Sequence, residues 1–221
     1  MCGIAGVFDF NGRAIDARAL LAMSDAQAHR GPDGKGVMFV GHDGKVRESA
    51  TARASEPLPA PDGTVGGLAH RRLSIIDLSE RGHQPMTNED GSIWLVFNGE
   101  IYNFQSLRDE LLAAGHIFRS DTDSEVILHA YEEWGVESVR RLRGMFAYAI
   151  WDSGRRRLIL ARDRLGIKPL FYACTDDHLS FASELKAFKA DRRLRLEIDE
   201  TAIYDFFTYR YLATEGFLPG Y

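Results

Sequence analysis

The chain has 221 residues, a formal net charge of −5, 45% hydrophobic and 27% charged residues. That length holds one large core or two small ones, and the composition excludes a disordered chain. No dense basic run supports nucleic-acid binding, no apolar run approaches the roughly 18 residues that span a bilayer, and no basic-then-apolar start suggests a secretion signal.

The opening Met-Cys-Gly-Ile-Ala-Gly-Val-Phe-Asp-Phe reads as a strand that starts almost at the first residue, and Asn11-Gly12 reads as a turn. Asp16 opens an amphipathic helix to about His29, with Leu20, Leu21 and Met23 toward the core. His29 to Gly36 is a Gly/Pro/Asp loop, and Val37–Val40 a short strand. Gly41 to Gly63, with Pro57, Pro59 and Pro61, reads as a surface excursion that can hold a hairpin. Val65 to Leu78 is a strand running into a turn. Ser92 to Asn103 reads as a buried strand, a glycine turn at Asn98-Gly99 and a second extended piece.

Asn103 to Ala114 is helical and stopped by Gly115. Thr122 followed by Glu125 is a capping-box pattern, and Val126, Ile127, Ala130, Tyr131 and Trp134 form the stripe of the next helix. A shorter helix follows, then four short strands with hairpin turns at Ser153-Gly154 and Asp176-Asp177. Helices and strands fall in separate blocks, which predicts antiparallel sheets layered against helices. A last helix follows Asp199, with Ile203, Phe206, Phe207 and Arg210 near helical spacing.

Two cysteines, Cys2 and Cys174, sit at opposite ends of the chain. They give neither a disulfide framework nor paired metal-ligand spacing, so a reduced, cytoplasmic protein without a metal is expected. Cys174 reads as a small core residue on a strand. Cys2 has a different prospect. Initiator methionine is usually removed before a small residue, and the freed α-amino group has a reference pKa of about 7.7–8.0. It is then able to take the thiol proton, so one residue supplies both nucleophile and base.

The strings Met1–Phe10, His29–Gly36, His70–Leu78, Val96–Leu111, Thr122–Ile127, Leu142–Asp152 and Ala161–Ala173 occur in this order. Together they resemble class II glutamine amidotransferase domains, and within these the N-terminal half of glutamine-hydrolysing asparagine synthetases, over roughly Met1 to Phe188. The resemblance implies an α+β fold of the N-terminal nucleophile hydrolase type, a four-layer α/β/β/α sandwich of two antiparallel sheets. It implies hydrolysis of L-glutamine to glutamate and ammonia through a Cys2 thioester. By motif, Cys2 corresponds to the nucleophile, and Asn98 and Gly99 to the oxyanion hole. Arg72 corresponds to the fork for the substrate α-carboxylate, and Glu100 and Asp123 to the groups that hold its α-ammonium. The chemistry suits each: a guanidinium binds a carboxylate in bidentate fashion, and amide donors stabilise an oxyanion.

Bland readings stand beside these. Asn98-Gly99 is a common hairpin turn, Arg71 and Arg72 suit a solvated strand face, Asp123 can support a helix start, and Glu100 can be an exposed acid. In His29–Gly34, His29 as a general base is the lesser reading. The loop reads as structural, with Gly31 and Gly34 permitting unusual backbone angles. Arg162, Asp163 and Lys168 read as structural ion pairs or an interdomain contact.

The expected division is a glutaminase domain over 1–190 and a linker helix over 191–221, leading toward a synthetase domain in cis or in trans. No Ser-Gly-Gly-rich pyrophosphate loop is present, so ATP and Mg are assigned to that other half, and the glutaminase step is expected to need no cofactor. The sequence therefore reads as a fragment or a stand-alone domain, with a homodimer as a further expectation. The rivals are the amidotransferase half of another ammonia-using enzyme and a catalytically inert glutamine-binding module.

Overall fold

The computed structural model describes residues 1–53, 58, 61–74, 82–197 and 200–210. Ten strands and four α-helices are described: β1 (Gly3–Asp9), α1 (Ala17–Asp25), β2 (Gly34–Val40), β3 (Val46–Ala52), β4 (Gly66–Arg72), β5 (Met86–Thr87), β6 (Ile93–Ile101), α2 (Phe104–Ala113), α3 (Asp123–Trp134), β7 (Gly144–Asp152), β8 (Arg157–Arg162), β9 (Phe171–Cys174), β10 (His178–Ala182) and α4 (Glu200–Tyr209). Short 3-10 turns cover Ala28–Arg30, Gly135–Arg141 and Leu185–Ala190.

The strands form a six-stranded sheet in the order β3-β2-β4-β1-β10-β9 and a four-stranded sheet in the order β5-β6-β7-β8. All paired strands are antiparallel. Three apolar clusters give the layering. Ile4, Phe8, Met38, Leu68, Val96 and Phe181 pack between the two sheets. Phe97, Ile101, Leu111, Ile127 and Phe146 join the small sheet to α2 and α3. Val7, Leu20, Phe39 and Phe188 join the large sheet to α1 and the Leu185–Ala190 turn. Helices, sheet, sheet and helices thus lie in four layers, as expected, because each sheet buries both faces and alternate residues serve opposite cores.

The helix starts follow their capping chemistry. Asp16 accepts the Arg18 N–H at 3.0 Å, and Thr122 Oγ1 accepts the Glu125 N–H at 3.4 Å. The reciprocal half of the capping box is missing: Glu125 accepts Arg119 N and Ser120 N instead, each at 2.7 Å. The excursion supplies only one arm of a hairpin: β3 lies within it and pairs back on β2, which precedes it, with Gly44 at φ 81° in the turn. Pro57 and Pro59 lie outside the described residues. No helix among the described residues is long and apolar enough to cross a membrane.

Several local expectations are corrected. Asn98-Gly99 is no turn: β6 runs unbroken through it and pairs with all nine residues of β7. Arg71 is not solvated. It is 2% exposed, with Nε donating to Ser24 and its guanidinium paired with Asp25. Gly31, at φ −140°, has no left-handed backbone, and Gly34 is an ordinary strand residue. A Cβ on Gly31 would stand 2.3 Å from the Arg71 carbonyl carbon, so it is close approach that requires glycine there. Cys174 is exposed on the edge strand β9, not in the core.

Candidate active site

Cys2 stands immediately before β1, a central strand of the large sheet, and Gly3 pairs with Arg71 at the end of β4. The chain start is therefore fixed beside the Arg72–Leu73 backbone. Leu73 N–H donates to Cys2 Sγ at 3.4 Å. Arg30 Nε donates to the Cys2 carbonyl at 2.9 Å, and its Nη1 pairs with Glu184 at 3.1 Å. Asp33 accepts Ser74 N–H at 2.8 Å and bonds its own N–H to Arg72 O, which ties the His29–Gly34 loop to the end of β4. That loop is structural and adjacent to Cys2, as expected. His29 turns away to Glu184 at 2.8 Å and does not line the cleft, so the general-base reading has no geometric support.

The oxyanion candidates follow from the phase of the β6–β7 ladder. Phe146 faces Gly99, but both its backbone groups bond Asp163 on the far side. Gly99 therefore points its N–H away from β7. Its neighbours in the same phase are spoken for: Phe97 N–H donates to Gln84 Oε1 at 2.6 Å, and Ile101 N–H to Asp123 Oδ2 at 2.8 Å. Between them the Gly99 N–H faces the cleft. A Cβ on Gly99 would lie 2.3 Å from Met145 O, so a side chain is excluded by the close β7 backbone. Asn98 is 1% exposed, and its Nδ2 has no partner among the described residues. A buried amide donor left unpaired is costly, which makes Asn98 a candidate donor to a ligand in the cleft.

All six candidate residues, Cys2, Arg72, Asn98, Gly99, Glu100 and Asp123, line one cleft of about 340 Å³. Arg72 comes from β4, where alternation places it opposite Arg71, and a Cβ on Gly82 would meet its Nη2 at 2.5 Å. Glu100 shares a face of β6 with Asn98, and Asp123 opens α3. Burial raises the Asp123 carboxyl to about 6, against the Ile101 N–H that favours the anion and with Glu100 adding repulsion. Burial also pushes the Cys2 thiol up, opposed by Leu73 N–H, the terminal amino group, Arg72 and Lys168.

Two further residues reach the cleft: His70, not singled out from the sequence, and Lys168, read there as structural. His70 is held neutral by burial, which lowers it to about 3. Its Nε2 lies 3.1 Å from Phe97 O, a group that can only accept, so the ring proton is on Nε2 and Nδ1 is a bare acceptor. Lys168 is 7% exposed and reaches the cleft. Asp163 makes no ion pair among the described residues: it accepts the N–H groups of Phe146, Leu165, Ile167 and Lys168. Arg162 donates to Lys168 O and Gly166 O. The expected ion pairs are thus backbone contacts.

Away from the cleft, His116, His129 and Glu132 come within ligand distance of one another, which their sequence spacing did not reveal. Hydrogen bonding accounts for this cluster. His129 Nδ1 bonds Glu132 at 2.7 Å, Nε2 lies 3.7 Å from Glu125, and the two carboxylates, against the effect of burial, raise the imidazole to about 9.

A family model for a glutamine amidotransferase domain matches residues 61–218. Asparagine synthetase [glutamine-hydrolyzing] 1 of Bacillus subtilis is 38% identical over 96% of this chain, which spans 30% of that protein. Asparagine synthetase [glutamine-hydrolyzing] 2 of the same organism is 41% identical over 85% of this chain, which spans 22% of it. The chain thus spans less than a third of these curated relatives. Among solved structures, glutamine phosphoribosylpyrophosphate amidotransferase from B. subtilis superposes with a TM-score of 0.71 at 24% identity, over 86% of this chain and 43% of that one, a likeness of fold. By its family match and its four-layer fold, the chain belongs to the glutamine amidotransferase domain family.

Proposed function

We propose that the domain hydrolyses L-glutamine to L-glutamate and ammonia through a thioester on Cys2. It would act as the glutaminase half of an enzyme that amidates aspartate or a related carboxylate. The carrying observation is convergence: residues from the chain start, β4, β6 and α3 meet in one cleft around one thiol. Glutamine is a zwitterion with a neutral amide at its far end. Arg72 pairs with the carboxylate, and Glu100 and Asp123 with the ammonium. Holding both ends orients the amide against the sulfur, where orientation alone is worth several powers of ten in rate.

With Met1 removed, the thiol proton passes to the neutral α-amino group of Cys2, and the sulfur attacks the amide carbon. Asn98 Nδ2 and Gly99 N–H receive the oxyanion. The intermediate collapses as the α-ammonium returns its proton to the leaving nitrogen, and ammonia departs. Water, losing a proton to the same amine, then attacks the thioester and frees glutamate and the thiol. ATP and Mg²⁺ belong to the acceptor-activating half, because the cleft's opposed cations and carboxylates fit a zwitterion and not a triphosphate. In the same reading the segment from residue 191, with Tyr204 and Phe207 exposed on α4, leads toward that half. A reducing, cytoplasmic setting keeps the nucleophile free.

One observation favours a second reading, an inert glutamine-binding module. Met1 also lines the cleft, and while it remains the α-amino group is one residue from where the mechanism needs it. Intact mass decides: loss of one methionine supports the enzyme, and retention supports the binding module. Cys2→Ala is expected to abolish glutamate release while glutamine still binds. Retention of most of the activity in that variant would refute the mechanism.

A further inference from the structure

Lys168 is a lysine buried without a carboxylate. It is 7% exposed, it lines the cleft that holds Cys2, and its ammonium has no ion-pair partner among the described residues. A buried charge ordinarily demands a partner. Its placement is also built. Asp163 gathers the N–H groups of Leu165, Ile167 and Lys168, and Gly166, at φ 64°, turns the chain between them. Arg162 holds the carbonyls of Gly166 and Lys168 at 2.6 and 2.7 Å. The Asp163 carboxyl stays below its usual range because these donors outweigh its burial. The whole Arg162–Lys168 turn thus fixes one side chain over the cleft.

We propose that Lys168 is a positioning cation for the nucleophile: its ammonium balances the negative charge that the half-buried Cys2 sulfur carries when it gives up its proton. The proposal rests on the glutaminase reading for its purpose but not for its test. When the S–H proton moves to the α-amino group, sulfur becomes an anion in a site that burial makes hostile to it. The groups facing it are Arg72 and neutral His70 from β4, and Arg30 on the Cys2 carbonyl with Glu184 behind it. Glu100 from β6 and Asp123 from α3 disfavour the thiolate. Arg72 is committed by that reading to the substrate carboxylate. Lys168 is the remaining cation lining the cleft among the described residues, and its field lowers the thiol pKa.

The test is the pH profile of Cys2 alkylation by iodoacetamide on the full chain without glutamine, read by peptide mass, for the wild-type protein and for Lys168→Met, Lys168→Gln and Lys168→Arg. Loss of the charge is expected to move the profile to higher pH and slow alkylation at neutral pH about tenfold, with Lys168→Arg restoring it. Lys168→Gln preserves polar bulk, so it answers the question if Lys168→Met fails to fold. Superimposable profiles for the wild-type and Lys168→Gln proteins overturn the proposal. So does a variant that raises KM for glutamine with unchanged kcat and alkylation, which would make Lys168 a substrate contact. Because alkylation needs no turnover, a wild-type protein without glutaminase activity would sink the functional reading and still report on Lys168.

Discussion

Asn98 offers the sharpest test of the oxyanion geometry. In the resting protein its Nδ2 is buried and unpaired among the described residues, which costs about 1–3 kcal/mol of desolvation without return. In the proposed mechanism the tetrahedral intermediate supplies the missing acceptor, so the bond would form only where it accelerates the reaction. Asn98→Ala is expected to lower kcat by about 10²–10³-fold, equivalent to a barrier roughly 2.7–4 kcal/mol higher, with KM nearly unchanged. Stability should move by no more than about 1 kcal/mol, because the small cavity left behind is offset by removal of an unsatisfied donor. Steady-state glutamate release and urea unfolding read the two quantities separately. A fall in kcat of less than about fivefold in a folded variant refutes the assignment. A large loss of stability would instead show that the amide holds β6 in place.

Two further outcomes follow from the shifted groups. The Asp123 carboxyl titrates at about 6, so KM for glutamine should rise as pH falls through that value, because the protonated acid no longer attracts the ammonium. Asp123→Asn should raise KM above about pH 6 and remove that limb, the two proteins converging at lower pH, and a pH-independent KM in the wild-type protein would contradict it. Against burial, which lowers it, the Glu125 and Glu132 carboxylates hold the His129 imidazole at about 9, above its ordinary 6.5. Its raised value means the stabilisation is complete below about 6.5 and lost as pH rises through 9. His129→Gln should therefore flatten the alkaline decline of the urea midpoint, and parallel curves for the two proteins would count against this.

Much of the fold was legible because the local signals agree with the packing. The caps at Asp16 and Thr122 and the positive-φ Gly115 mark real helix ends. Where reading failed, a distant partner decided. Asn98-Gly99 has turn composition, but β7 supplies nine paired residues and draws the dipeptide into a strand. Arg71 looks solvated in isolation and is buried because Ser24 and Asp25, far back on α1, receive it. Cys174 looks like a core residue, yet it sits on an outer strand of the large sheet. The site residues came from motif resemblance, which cannot display what the fold adds: the ladder phase that frees the Gly99 N–H, the Arg30 clamp on Cys2, and the reach of Lys168.

The strand that follows Cys2 takes its two neighbours from distant parts of the chain. Ala5 is opposite Ala69 on one side and Ala182 on the other, so one edge of β1 waits for a segment synthesised much later. With both neighbours in place, β1 holds Cys2 half-buried at the cleft. Met1 is 57% exposed in the folded protein and lines the same cleft, so a retained methionine stays reachable, and an extension or tag fused there would lie at the mouth of the proposed glutamine site.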